Sequence, residues 1–136
     1  MVATVVSYFV ALVTFLAVDM LWLGTMASRF YKPTLGDIAI SGVNLPPAIL
    51  FYAIYPVGLI IFAIDPALKT GSWTAALIYG ALFGFFTYAT YDLTNQATLR
   101  NWTTLLTLVD IAWGTVLGAI TSVVGVLAVS KLIPAS

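Results

Sequence analysis

Three aspartates interrupt long apolar stretches of the chain: Asp19, Asp92 and Asp110. A carboxylate in such surroundings can trade protons as a general acid or base, hold a hard cation, or grip the polar end of a ligand. The spacing around these acids repeats. "DMLW" puts Asp19 one turn before Trp22, "DIAW" puts Asp110 one turn before Trp113, and "DLTN" puts Asp92 one turn before Asn95. On a helix, the members of each pair share a face. A buried indole N–H needs an acceptor, and an aspartate one turn away or on the next helix is a natural one.

The rest of the chemical inventory is narrow. There is no cysteine and no histidine, which removes disulfides, thiol chemistry and the commonest transition-metal ligands. A metal would have to be a hard cation on carboxylates, such as magnesium held by Asp92, Asp110 and Asp19. Neither a metal nor a cofactor is expected. No nucleophile motif, metal-binding motif or glycine-rich phosphate loop is present. Five aspartates and no glutamate balance five lysines and arginines. That leaves no basic patch for nucleic acid.

The elements that carry these acids belong in a bilayer. The 136 residues are 62% hydrophobic and 7% charged, against about 25% charged in an average soluble domain. Apolar blocks cover roughly 4–27, 47–64, 73–93 and 103–131, each near the ~20 residues that a membrane-crossing helix needs. The expected fold is all-α, an integral membrane four-helix bundle forming a single domain over residues 1–136. The first block reads as a retained helix rather than a signal peptide, because it lacks a basic leader and contains Asp19.

Local signals set the expected boundaries. Helix one should end near Met26, followed by a long connection over 28–47 that either is solvated or lies in the membrane interface on Phe30 and Tyr31. "NLPP" starts helix two with Asn44 as N-cap and prolines in the first turn. Pro56 should kink that helix, and Asp65-Pro66 should end it. Ser72 or Gly71 should cap helix three after a short turn. Four spans put both termini on one side and the connections bearing Arg29, Lys32 and Arg100 on the other, opposite Lys69 and Lys131. The positive-inside rule then favours periplasmic termini.

Topology brings the acids to one level. Asp19 lies about seven residues before the end of helix one, and Asp110 about seven after the start of helix four, each roughly 10 Å inside the same surface at ~1.5 Å per residue. Asp92 ends helix three on that surface. Gly80, Gly84, Tyr88 and Asp92 form one i, i+4 row. Asp110, Gly114, Gly118, Thr121 and Gly125 form another row at helical spacing. Both rows carry a G-x-x-x-G spacing, which lets helix backbones approach closely. Such rows serve internal packing, or a homo-oligomer through the glycine faces. Each aspartate also suits a structural role, capping a helix or pairing with an indole, Arg29 or Arg100.

"VDMLWLG", "FYKPTLG", "YATYDLTNQATLRNW" and "LVDIAWG" together resemble a family of small bacterial membrane proteins, domain of unknown function 2177, across nearly the whole chain. The resemblance implies four membrane helices in a bacterial inner membrane and supplies no activity. Its motif positions here are Asp19, Trp22, Tyr31, Tyr91, Asp92, Thr94, Asn95, Asp110 and Trp113.

The expected site therefore comprises Asp19, Trp22, Tyr88, Tyr91, Asp92, Asn95, Asp110 and Trp113, with Arg29 and Arg100 near it. Trp102 would join its aromatic lining. Three functions fit. The first is binding or transport of a proton, a cation or an amphiphilic molecule, including a lipid taken from the bilayer. The second is an accessory or assembly role in a membrane complex. The third is an enzyme acting on a lipid, with Asp19 and Asp110 as acid and base and an arginine on an anionic head group.

Overall fold

The computed structural model describes residues 1–133, which form four helices and, among the described residues, no strand. Helix α1 spans Val2–Ile38, α2 Leu45–Thr70 and α4 Thr104–Leu132, each long and apolar enough to cross a membrane. Helix α3 spans Trp73–Thr98. Its 26 residues would reach about 39 Å at ~1.5 Å each, and polar residues crowd only its last two turns. The outer faces carry Phe9, Phe86, Leu108 and Leu127 exposed. A soluble bundle would bury such side chains, whereas hydrocarbon accommodates them without cost.

Two helices run further than their sequences suggest. Helix α1 does not stop at Met26. It continues through a π turn at Ala27–Tyr31, an α-helical turn at Lys32–Leu35 and a 3₁₀ turn at Gly36–Ile38. The expected connection over 28–47 thus shrinks to the residues after Ile38. Helix α2 likewise passes through Asp65-Pro66, with a π turn at Ile60–Ile64 just before it. Both extensions have one physical cause. A proline inside a helix lacks an N–H and collides with the carbonyl four residues back. Here the residue before each proline reaches five back instead: the Lys32 N–H donates to the Ala27 carbonyl and the Asp65 N–H to the Ile60 carbonyl. The wider turn takes up one extra residue and makes room for the ring of Pro33 or Pro66.

Helix α2 is shared between neighbours. Its first half, Leu45–Leu59, packs on α1, and its second half packs mainly on α3, with α4 beside it. Pro56 lies inside the α-helical first half. Asn44 occupies the N-cap position with extended backbone, but its side chain makes no capping bond; prolines follow in the first turn. Gly71 takes a left-handed φ of 70°, the conformation glycine adopts at least cost. Ser72 then caps α3, its Oγ accepting from the Ala75 N–H at 3.4 Å, and Thr103 caps α4 by accepting from the Leu106 N–H at 3.0 Å.

Helices α3 and α4 form the tightest pair, backbone against backbone. A methyl group on Gly80 would collide with the Gly118 carbonyl and with Ser122, and one on Gly84 with the Gly114 carbonyl. Gly114 leaves room for the ring of Tyr88, and Gly125 for Ile64. The glycine faces therefore pack within the chain, and the expectation that they join a second copy gains no support from this contact. On the opposite flank the fully buried Phe15 meets Tyr55 and Tyr52 of α2, with ring centroids 4.8 and 5.7 Å away. The connections after α1 and α3 meet at one end. There the Asn101 Nδ2 donates to the Leu35 carbonyl at 2.7 Å and to Asp37 Oδ1 at 3.1 Å.

Candidate functional site

At this end the helices surround a cavity of about 690 Å³. All four contribute to it. Asp19, Trp22, Ala27, Tyr31 and Lys32 come from α1, and Ala48, Phe51 and Tyr55 from α2. Thr87, Tyr88 and Tyr91 come from α3, while Trp102 precedes α4 and Asp110 and Trp113 belong to it. Its walls are rich in aromatic rings, and among the described residues its only acids are Asp19 and Asp110.

The two D-x-x-W pairs serve each other rather than themselves. The Trp113 Nε1 donates to Asp19 Oδ1 at 3.1 Å, across from α4 to α1. The Trp22 Nε1 donates to the Tyr31 hydroxyl at 2.9 Å, which in turn donates to Asp110 Oδ1 at 2.6 Å. The two indoles stack between these bonds, with centroids 4.3 Å apart and planes 5° from parallel. Asp19 receives a second hydrogen bond from the Tyr52 hydroxyl on Oδ2. Donors from α2 and α4 thus hold this 4%-exposed carboxylate from both sides.

The π turn explains why Tyr31 reaches this network. Nine residues are about 2.5 turns at ~3.6 per turn, which would leave Tyr31 on the far side of an unbroken helix from Trp22. One extra residue in the π turn withdraws roughly 100° of that rotation. Pro33 thereby steers Tyr31 toward Asp110.

Asp92 differs from the other two acids. It is fully buried, and among the described residues neither of its oxygens meets a hydrogen-bond donor. Its carboxyl lies within reach of that of Asp110, which is another acceptor. It is not among the cavity-lining residues, and it meets the site through Asp110. Burying an ionised or polar group without a partner is costly, so this residue has no evident stabilising role.

Of the residues expected at the site, Asp19, Trp22, Tyr88, Tyr91, Asp110 and Trp113 line the cavity, as does Trp102. Asn95 lies one turn beyond Tyr91, half-buried and outside the lining. The two arginines stand apart from the lining. Arg29 is exposed and away from the cavity. Arg100 faces solvent, with only Asp37 3.9 Å away. The basic residue on the rim is Lys32. Among the described residues no three acids group closely enough to hold a metal ion, so a magnesium site on Asp19, Asp92 and Asp110 has no geometric support. Sequence reasoning also missed Tyr52, Tyr55 and Thr87. Tyr55 and Thr87 share a 2.8 Å hydrogen bond between α2 and α3. A signal existed, since Tyr52 and Tyr55 lie one turn apart inside an apolar helix, where a hydroxyl needs a partner.

A family model described as a predicted membrane protein, domain of unknown function 2177, matches residues 4–127. Neither a curated protein nor a solved structure matches the chain.

Proposed function

The chain belongs to the domain-of-unknown-function-2177 family of predicted membrane proteins, and from that premise we propose that it binds a small amphiphilic molecule within its bundle. The observation that carries this reading is a roughly 690 Å³ cavity with aromatic walls and two acids. Cavities of about this size, mostly apolar with a few convergent polar groups, are the usual form of small-molecule sites. The ligand's apolar body would lie against Trp102, Tyr91, Phe51 and the stacked indoles, with its polar end at Asp110.

Binding fits better than passage through the bundle. Beyond the cavity the core is filled by Phe15, Leu59, Ile64 and Leu117, all fully buried. The site therefore reads as a one-ended cup reached from the α1–α2 end or sideways from lipid. General acid–base work by Asp19 fits less well, because indole and phenol donors already occupy both its oxygens. The setting in this reading is a bacterial inner membrane. The end bearing Arg29, Lys32 and Arg100 would face the cytoplasm and both termini the periplasm, by three basic residues against two.

The test is native mass spectrometry of the full chain, purified from membranes and held in lipid nanodiscs. A small amphiphile should accompany the wild type and be missing from Ala48→Trp, where an indole occupies the cavity. Identical spectra from the two proteins, with no added small molecule bound by either, would refute the reading.

A further inference from the structure

We infer that the cavity selects a primary ammonium group as the ligand's polar end. This deepens the amphiphile reading above and rests on it. The argument begins with charge. Asp110 lines the cavity with the Asp92 carboxyl in reach of its own, and among the described residues the only donor that meets Asp110 is the neutral Tyr31 hydroxyl. Asp19 likewise receives only neutral donors. Among the described residues the one ion pair is Arg100 with Asp37, at the surface. Lys32 is the only cation in the lining, and it is an exposed rim residue. A proton shared between the Asp92 and Asp110 carboxyls would still leave one negative charge there. The floor of the cup is thus anionic, and among the described residues no cation pairs with it.

The walls decide which cation fits. A divalent metal asks for six or more oxygen ligands, and the described residues group too few acids for one. Trp22, Trp113, Tyr31, Tyr88 and Tyr91 instead line the same cavity as Asp110. Aromatic faces attract organic cations through their quadrupoles, by ~0.5–2 kcal/mol or more when water is excluded. Asp110, the acid that faces the cavity and accepts only from the Tyr31 hydroxyl among the described residues, adds the last discrimination. A quaternary ammonium has no N–H to offer, whereas a primary ammonium has three. Its N–H groups would bond Asp110 directly, with Asp92 reinforcing the negative field behind it.

The same ammonium can arrive on a free long-chain amine or on an ethanolamine lipid head group. The experiment uses the full chain in phosphatidylcholine nanodiscs, read by tryptophan fluorescence, to which the cavity-lining Trp22, Trp102 and Trp113 contribute, and corrected with empty nanodiscs. The probes are dodecylamine, dodecyltrimethylammonium and dodecanol. Dodecylamine should saturate at a concentration about tenfold or more below dodecanol, the scale of one charge-assisted hydrogen bond, and below dodecyltrimethylammonium as well. Asp110→Asn should erase that preference, Asp92→Asn should reduce it, and Asp37→Asn at the surface should leave it intact. Displacement of dodecylamine by phosphatidylethanolamine would support a lipid source, and failure to displace it would support a free amine. Equal binding of all three probes, still blocked by Ala48→Trp, would overturn the ammonium inference and leave the amphiphile cup standing. No binding of any probe would overturn both.

Discussion

Trp22 and Trp113 lie face to face, and the indole N–H of each is directed to the aspartate of the other's motif, Trp113 directly to Asp19 and Trp22 through Tyr31 to Asp110. The stack therefore joins α1 to α4 by surface contact and by crossed hydrogen bonds together. Trp113→Phe preserves an aromatic face but removes one of the two donors on a buried carboxylate. It should lower unfolding free energy by ~1–3 kcal/mol. Trp22→Phe should cost less, because Tyr31 still donates to Asp110. Denaturation of the two variants in the same micelles gives the comparison, and equal losses would contradict the crossed arrangement.

Asp19 and Asp92 should respond in opposite directions. Asp19→Ala strands the Tyr52 hydroxyl and the Trp113 indole, and should cost ~1–3 kcal/mol for the groups left unpaired. Asp92→Asn removes a buried carboxylate that has no donor and gives Asp110 an amide N–H to accept from. Stability should hold or rise by about 1 kcal/mol, because an amide N–H bonded to Asp110 takes the place of a second buried acid. Thermal unfolding of both variants decides this. A large loss in Asp92→Asn would mean that the residue is structural.

The α3–α4 contact predicts a position-dependent alanine effect. Gly80→Ala and Gly118→Ala drive a methyl group into a facing carbonyl and should destabilise by ~1–3 kcal/mol, the scale of overpacking. Gly24→Ala in α1 meets nothing within 4 Å and should gain ~0.5–1 kcal/mol from helix propensity alone. Melting temperatures of the three variants should therefore fall on both sides of the wild type.

Pro33 and Tyr31 should be energetically coupled. Pro33→Ala removes the reason for the π turn, so the helix can close to ordinary α geometry and rotate Tyr31 away from Asp110. Tyr31→Phe should then cost ~0.5–1.5 kcal/mol in the wild type and almost nothing in the Pro33→Ala background. A double-mutant cycle on unfolding free energies measures this. Additive losses would show that the π turn and the hydrogen bond are independent.

Much of this arrangement is legible without coordinates, for reasons that single residues show. Four apolar blocks of membrane length announced the helices. The i, i+4 rows through Gly80, Gly84 and Gly114 marked the faces that pack, because small residues at that spacing have little other use in lipid. Depth along antiparallel helices brought Asp19 and Asp110 to one level. The continuation of α1 past Met26 and of α2 past Asp65 was not legible. Pro33 and Pro66 read as breakers, and whether a π turn absorbs a proline depends on tertiary contacts. The same turns control side-chain direction, so Arg29 and Lys32, three residues apart, could not be told from each other as solvent-facing and rim residues. The second acceptor bond of Asp19 was hidden because Tyr52 reaches it from α2, 33 residues away.

The crossed indole bonds also set an order of events during biosynthesis. Asp19 emerges from the ribosome 94 residues ahead of the Trp113 that serves it. Asp19 therefore gains the second of its two hydrogen bonds only when α4 docks against α1. A chain without α4 would leave the Tyr52 hydroxyl as the lone donor to this acid among the described residues, so the first two helices alone hold a half-satisfied carboxylate.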